Sequence, residues 1–354
     1  MGQASKFKLF YILFCSFICF NLSLSAKGID TNYIKSYSDR LILKTYSTYA
    51  KTYMPYNLPK KLPTLDFTTN SFITLGFGFS YKWFGLRYGF NIIQLGDPAL
   101  YDKTSSLDIY MNAYLPKHLI DVMFTNHDGF YNSNPKLNLR HWNDSIKVPP
   151  KVSNLRTYMI GTNYLYVFNG KKFSFKSSFT QSEQQIKSSG SFLVGASFNY
   201  FSINSDSSLI PKDYIKKDSL SPTDEYLNGI FIGPSIRAGY AYNLIVYKNV
   251  SLLVSATPGI SLEYNKYITN KGKTEVSMKP NFQGNFRVGL TYSQPNYFFG
   301  INAFNDIYFH NLRDANFKYT TIRLELFLGI RLTPFRFMAP KPNNQNTLIT
   351  IKKS

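Results

Sequence analysis

The chain has 354 residues, with 40 lysines and arginines against 20 aspartates and glutamates, a formal net charge of +20. Hydrophobic residues make up 44%, including 28 Tyr and 31 Phe, which is ample for a large folded unit and excludes a disordered chain. Yet only 17% of residues are charged, whereas about 25% is usual for a soluble domain. Glycine is frequent and few stretches repeat at the helical period, so the fold class expected is all-β, and one barrel of this size is a single domain.

At the amino terminus, Lys6 and Lys8 precede an apolar run over 9–20, and small residues follow at Ser23, Ser25 and Ala26. Residues 1–26 therefore read as a secretory signal peptide. The run is shorter than the roughly 20 residues that a helical span needs. Cys15 and Cys19 both lie inside it, so the mature chain has no thiol, and disulfides, cysteine-held metals and cysteine nucleophiles drop out. Nothing later is long and apolar enough for a transmembrane helix, so a mature protein in a membrane must cross it as strands. The positive excess asks for anionic neighbours. A signal peptide and the lack of a basic helix argue against nucleic acid, which leaves lipid headgroups of the outer membrane or an anionic solute in a pore.

After a polar leader over 27–40, residues 41–48 read as a first strand. Residues 71–81 put Ile73, Leu75, Phe77, Phe79 and Tyr81 on one face and Thr74, Gly76, Gly78 and Ser80 on the other. Beyond Lys82 and Trp83 the alternation resumes, with Phe84, Leu86, Tyr88 and Phe90 against Gly85, Arg87, Gly89 and Asn91, which makes a hairpin with a two-residue turn. A second hairpin runs over 107–115, with Asp108, Tyr110, Asn112 and Tyr114 on its polar face, turns at 116–118 and returns with Asp121, Met123 and Thr125 against Ile120, Val122 and Phe124. A third is expected from 156–167 through Asn169-Gly170, the strongest short hairpin signal, into a return strand over 173–180 that carries Lys176 on its polar face. Further strands are expected over 192–201, 230–242, 252–262, 282–292 and 297–304, with Arg237 and Arg287 on polar faces.

The last strand, over 322–332, has the clearest pattern. Ile322, Leu324, Leu326, Leu328, Ile330 and Leu332 alternate without a break with Arg323, Glu325, Phe327, Gly329 and Arg331. A soluble sandwich would turn the aliphatic face inward; an outer-membrane barrel would turn it to lipid and line its lumen with the charges. Short turns at 82–83, 116–118, 169–170, 247–249 and 293–296 alternate with long polar loops over 50–70, 129–154, 265–278 and 307–317, and this segregation is the outer-membrane pattern. Tyr81, Trp83, Tyr240, Tyr242, Tyr292 and Phe335 near strand ends suit an interfacial aromatic girdle. The expected fold is a transmembrane antiparallel up-and-down β-barrel over 41–337, followed by a tail over 338–354. Thirteen strands can be read, and an even number is required. A weak strand over 208–215 gives fourteen, the preferred count; if 192–201 instead folds into the lumen, there are twelve.

The run over 179–193, FTQSEQQIKSSGSFL, resembles the signature of domain-of-unknown-function family 4421. Asp30-Thr31-Asn32-Tyr33-Ile34, Tyr81-Lys82-Trp83, Ile120-Asp121 with Gly129-Phe130-Tyr131, Tyr166-Val167-Phe168-Asn169, and Pro234 with Tyr242-Asn243 agree with it. The resemblance implies a secreted outer-membrane barrel and adds no chemistry.

The inward set expected in such a barrel is Arg87, Asp108, Asp121, Lys176, Arg237, Arg287, Arg323, Glu325 and Arg331. It is either a basic constriction that favours anions or a packed lumen in which arginines pair with carboxylates and tyrosines. Gln181, Glu183, Gln185 and Lys187 share one face at period two, with Ser188 after them; this polar run extends a strand above the membrane, enters the lumen as a plug, or is a solvated loop. His118, His127, His141 and His310 show no spacing for a metal or a triad, although a lipid-modifying enzyme could be built from His127 with Ser133 or His310 on a barrel's outer face. No catalytic residue, metal or cofactor is assigned. The sequence thus points to an outer-membrane barrel at a Gram-negative cell surface acting as a passive pore with a basic lumen; the alternative is a structural or partner-binding barrel with a packed one.

Overall fold

The structure is a computed structural model and describes residues 28–57, 64–101, 103–134, 151–206, 209, 226–269, 272, 274–312 and 315–333. Strands dominate: β1 (Ile34–Ser36), β2 (Leu41–Asn57), β3 (Leu65–Thr68), β4 (Phe72–Tyr81), β5 (Phe84–Gln94), β6 (Ser105–Tyr114), β7 (His118–Asn132), β8 (Lys151–Val167), β9 (Glu183–Gln185), β10 (Ser189–Asn204), β11 (Tyr226–Tyr247), β12 (Val250–Thr269), β13 (Thr274–Ser293), β14 (Tyr297–Asn311) and β15 (Asn316–Leu332). Two single-turn helices, α1 (Pro98–Tyr101) and α2 (Lys176–Phe179), complete the described elements. Among the described residues no helix is long and apolar enough to cross a membrane.

Thirteen strands form one antiparallel sheet, and it closes on itself where β15 pairs with β2. Within it β3 is only four residues long and bridges the far ends of β2 and β7 above the shorter β4, β5 and β6. The other twelve strands make the wall. Closure removes the free edges that an open sheet would expose, which is the condition for a sheet to stand in lipid.

Side-chain period decides which way the wall faces. On β15 Leu324, Leu326, Leu328 and Ile330 are 48%, 58%, 60% and 45% exposed, whereas Glu325 and Arg331 are 1% and 3% exposed. Aliphatics outside and charges inside is the membrane-barrel arrangement, the inverse of a soluble core. The same rule holds on the other walls, where Phe77, Phe192, Ile236, Ile260 and Phe299 point outward. Gly129, at φ +85°, marks an irregularity in the β7–β8 register between Asp128 and Phe130, beyond which Phe130 is fully buried.

Tight turns sit at one end, at Lys82-Trp83 and Lys248-Asn249, and Lys82 and Asn249 take the left-handed conformation such turns demand. Both the leader and the end of β15 lie at this turn end: Leu332 pairs with Leu41. The opposite ends of the strands, at Asn57, Asn132, Asn204, Thr269 and Asn311, form the other, loop end.

Three sequence expectations need correction. Residues 173–180 are not a wall strand: after the Asn169-Gly170 turn the chain folds into the lumen through α2, and β8 pairs directly with β10. The segment 192–201, the one expected to leave the wall if the count were twelve, is part of β10 and stays in it. Twelve wall strands therefore stand where fourteen were preferred, and the weak strand placed at 208–215 falls almost wholly outside the described residues. Finally, the strands run further than their predicted ends. β12 and β13 extend to Thr269 and from Thr274, and β14 reaches Asn311, so most of the loops expected at 265–278 and 307–317 are barrel wall. The signal peptide over 1–26, His141, Phe335 and the tail over 338–354 lie outside the described residues.

Candidate functional site

The lumen is filled in three layers. At the loop end is an apolar cluster from the upper strands that includes Tyr56, Phe130, Phe201, Phe231, Phe317 and Tyr319, with Leu65 and Phe67 of β3 and Leu312 beyond β14. At the turn end is a second cluster in which Phe173, Phe175 and Phe179 of the infolded segment meet Tyr114, Leu165, Leu193 and Phe304 of the wall. A polar belt lies between them.

The belt is built from residues that the strand period turns inward. Glu325 is nearly inaccessible and takes two cations: Lys44 Nζ at 2.9 Å and the Arg87 guanidinium, with Asn302 Nδ2 donating at 3.2 Å. Asp121 meets Arg287 at 3.4 Å and accepts from the Tyr114 hydroxyl. Asp306 holds Arg323, which also donates to Tyr110, and accepts from Asn285. Arg237 differs from these. It donates to Asn163 Oδ1 at 2.9 Å and to Asn285, with no carboxylate among the described residues. Asp108 is buried in the same belt, and no described residue bridges it. Five cations thus face four carboxylates, mostly in direct pairs. Pairing of this kind is what makes so many buried charges tolerable. What remains open among them is a cavity of about 70 Å³ bordered by Arg87, Asp108, Asp121, Arg287, Asp306 and Glu325, room for a few waters at about 10–15 Å³ each.

The polar run that carries the family signature is the internal frame of the infolded segment. Lys176 Nζ meets Glu183 Oε1 at 2.9 Å, and the Ser174 hydroxyl donates to Glu183 Oε2 at 2.6 Å. Gln185 accepts from Ser174 N–H at 2.8 Å and donates to the carbonyls of Lys172 and Lys187 at 2.6 and 2.8 Å. Gln184 reaches Asn249 and the Ser293 carbonyl across the mouth, and Ile245 N–H donates to the Ser188 hydroxyl at 2.9 Å. Lys187 is exposed at the rim, 5.7 Å from the Tyr33 ring. Gln181 is fully buried at φ +60°, a left-handed conformation that costs a non-glycine residue about 1–3 kcal/mol and persists only when its surroundings hold it. The holder is Arg331, whose Nε donates to the Gln181 carbonyl at 2.8 Å while its guanidinium lies 4.3 Å from the Tyr37 ring. Asn243 of β11 and Asn302 of β14 tether the segment to the wall through Ser177 and Ser178.

Of the residues named from sequence, Arg87, Asp108, Asp121, Arg237, Arg287, Arg323 and Glu325 meet in the belt. Lys176 sits on α2 instead of the wall, and Arg331 belongs to the mouth, where it braces the plug. Lys44, Glu263 and Asp306 were missed, and His310 was placed in a loop when it lies on the inner face of β14. Glu263, Asp306 and His310 lie where strands were ended too early, and continuing the alternation Phe304, Asp306, Tyr308, His310 would have put Asp306 and His310 on the inner face. The outer-face enzyme arrangement fails on geometry: His127 and His310 both face the interior, one bonded to the Tyr319 hydroxyl at 2.8 Å and the other to Glu263 at 3.0 Å. Among the described residues no group of three potential ligands could hold a metal ion.

With that geometry in view, the family model for a domain of unknown function (DUF4421) matches residues 28–332. The chain belongs to this family. No curated protein matches it. Among solved structures, it is similar to the outer membrane protease OmpT of Escherichia coli at 9% identity, covering 84% of this chain and 98% of that one at TM-score 0.39. It is similar to the translocator domain of the autotransporter NalP from Neisseria meningitidis at 8% identity, covering 93% and 98% at TM-score 0.42. The COG4313 outer membrane channel from Pseudomonas putida F1 follows at 13% identity, 83% and 95% coverage and TM-score 0.33. At such values no role passes to this DUF4421 chain.

The plug's point of departure offers a local test. A Cβ on Gly170 would fall onto the Pro116 carbonyl oxygen of the β6–β7 turn, and backbone cannot yield cheaply. Gly170→Val is expected to cost about 1–3 kcal/mol and to loosen the segment. Limited proteolysis should then cut within 171–188 in the variant and leave the wild-type protein intact there.

Proposed function

We propose that this protein is a closed β-barrel of the Gram-negative outer membrane that acts through its two ends, as a structural or partner-binding barrel, and does not conduct a solute in its resting state. The observation that carries this reading is the filled lumen: the infolded segment occupies the turn end, aromatic rings occupy the loop end, and the belt between them leaves about 70 Å³. The location is supported by the lipid-type outer face and by the segregation of turns from loops, which gives the turn end, with the leader and the end of β15, to the periplasm. The reading as a passive pore with a basic lumen has less support, because all but one of the belt cations adjoin a carboxylate or share one with a neighbour.

The test is planar-bilayer recording on protein purified from outer-membrane fractions, at two salt gradients. No resolvable steady current is expected from the wild-type chain. A steady ohmic current with anion preference would sink the proposal and reinstate the basic pore.

A further inference from the structure

The periplasmic face of the plug carries an unfinished sheet. β1 and β9 form an antiparallel pair in the register Ile34↔Gln185, Lys35↔Gln184, Ser36↔Glu183. Ile186 N–H donates to the Tyr33 carbonyl at 2.7 Å and Tyr37 N–H to the Ser182 carbonyl at 2.8 Å. In an antiparallel ladder, hydrogen-bonded residues alternate, so residues 33, 35 and 37 turn their backbone groups toward β9 and residues 34, 36 and 38 turn theirs away. Three of the outward groups are used: Ile34 N–H donates to the Asp30 carbonyl, the Ser38 carbonyl accepts from Lys82 N–H, and Ser38 N–H donates to the Ser36 hydroxyl at 3.3 Å. The N–H and C=O of Ser36 have no backbone partner among the described residues. Ser36 borders a cleft of about 260 Å³ between the leader and the β4–β5 and β6–β7 turns, lined by Trp83, Leu115 and Pro116, with Lys176 and Glu183 of the plug on its border too.

The surroundings are strongly basic. Lys35, Lys82, Lys171, Lys172, Lys187 and Lys248 are exposed at this end, against Asp30 and Asp39. None of the six is in an ion pair among the described residues. The exposed lysines border the aromatic side chains of the mouth, with Lys172 Nζ 5.0 Å and Lys187 Nζ 5.7 Å from the Tyr33 ring, while Trp83 and Ile186 are 45% and 44% exposed.

We propose that the β1 edge and its cleft are a docking site for an extended, acidic peptide segment of a periplasmic partner protein, which adds as a third strand beside β1. Three features select this occupant. An unpaired strand edge recognises a peptide backbone and nothing else with the same repeat. The lysines select carboxylates and steer their approach. The apolar wall of Trp83, Leu115 and Pro116 accepts an alternate side chain of the incoming strand. Lipid phosphates could satisfy the lysines but would leave the edge and cleft unused. Because β1 is bonded to β9, the strand that leaves the plug, a partner seated here pulls directly on the lumen's stopper. This inference rests on the partner-binding reading given above.

The experiment measures fluorescence anisotropy of a labelled heptapeptide of alternating glutamate and valine against the full chain in mild detergent. Binding is expected, weakening as salt rises from about 0.05 to 0.5 M, and about tenfold weaker in each of two variants. Ser36→Pro removes an N–H that points away from β9, which an edge strand tolerates. Lys35→Glu combined with Lys187→Glu reverses charge without touching the ladder. An N-methylated version of the peptide that bound as well as the parent would overturn strand addition. Equal binding of a lysine-valine peptide would overturn the charge preference, and capture by anionic lipid vesicles with no peptide binding would assign the face to the membrane instead. Conductance recorded on the same preparation separates the two readings: an open pore sinks the closed barrel, whereas a silent protein that ignores the peptide sinks only the docking site.

Discussion

Glu325→Ala should lower the stability of the folded barrel by about 3–5 kcal/mol, the cost of breaking a buried ion pair from one side. Glu325 is 1% exposed and is shared by Lys44 and Arg87, so its removal strands two buried cations at once. Asn302 loses an acceptor in the same step. The asymmetry can be checked by removing the whole set. A variant with Glu325→Leu, Lys44→Met and Arg87→Met should recover most of the loss, since replacing a buried pair or triad by apolar groups of similar volume is often neutral or stabilising. Urea unfolding in lipid vesicles measures both. A Glu325→Ala protein within about 1 kcal/mol of wild type would mean that water, and not Glu325, balances those cations.

The second large effect concerns conduction. Deleting 172–187 leaves a five-residue connection between β8 and β10, which lie next to each other in the wall and need to span only about 5 Å. The wall pairing does not involve the deleted residues, so the barrel should still fold and show a heat-dependent mobility shift on electrophoresis. Removing Phe173, Phe175 and Phe179 empties the turn end, and removing Lys176 with Glu183 takes away a balanced pair, so the belt beyond keeps its arginines. Discrete current steps with anion preference are expected where the intact chain is silent. A deletion variant that folds and stays silent would show that the aromatic cluster around Phe201 and Phe317 closes the lumen alone, and would remove the plug from the account.

Much of the wall was legible in the sequence. Alternation at period two is a property of the strand itself, since neighbouring side chains leave a pleated backbone on opposite faces. Thus Leu324 and Leu326 against Arg323 and Glu325 already separate the lipid face from the lumen face before any partner strand is known. Strand ends were read less well. Wherever lipid contact stops, the outer face no longer needs to be aliphatic, and Asn305 and Lys266 made wall residues look like loop. The third hairpin failed for a different reason. Phe173, Phe175 and Phe179 alternate with Ser174, Lys176 and Ser178 as a strand would, yet in the fold Lys176 and Ser174 turn to Glu183, a few residues further along the chain.

By itself, then, the sequence determined that this is a strand-built wall with one greasy and one charged face, because those facts depend on neighbours two residues apart. The tertiary structure alone decided that the wall closes with twelve strands, that Glu325 serves both Lys44 and Arg87, and that the signature run fills the lumen. Each of these depends on groups distant in sequence: Lys44 and Glu325 lie 281 residues apart, and their energies exist only once the ring has closed and excluded water from between them.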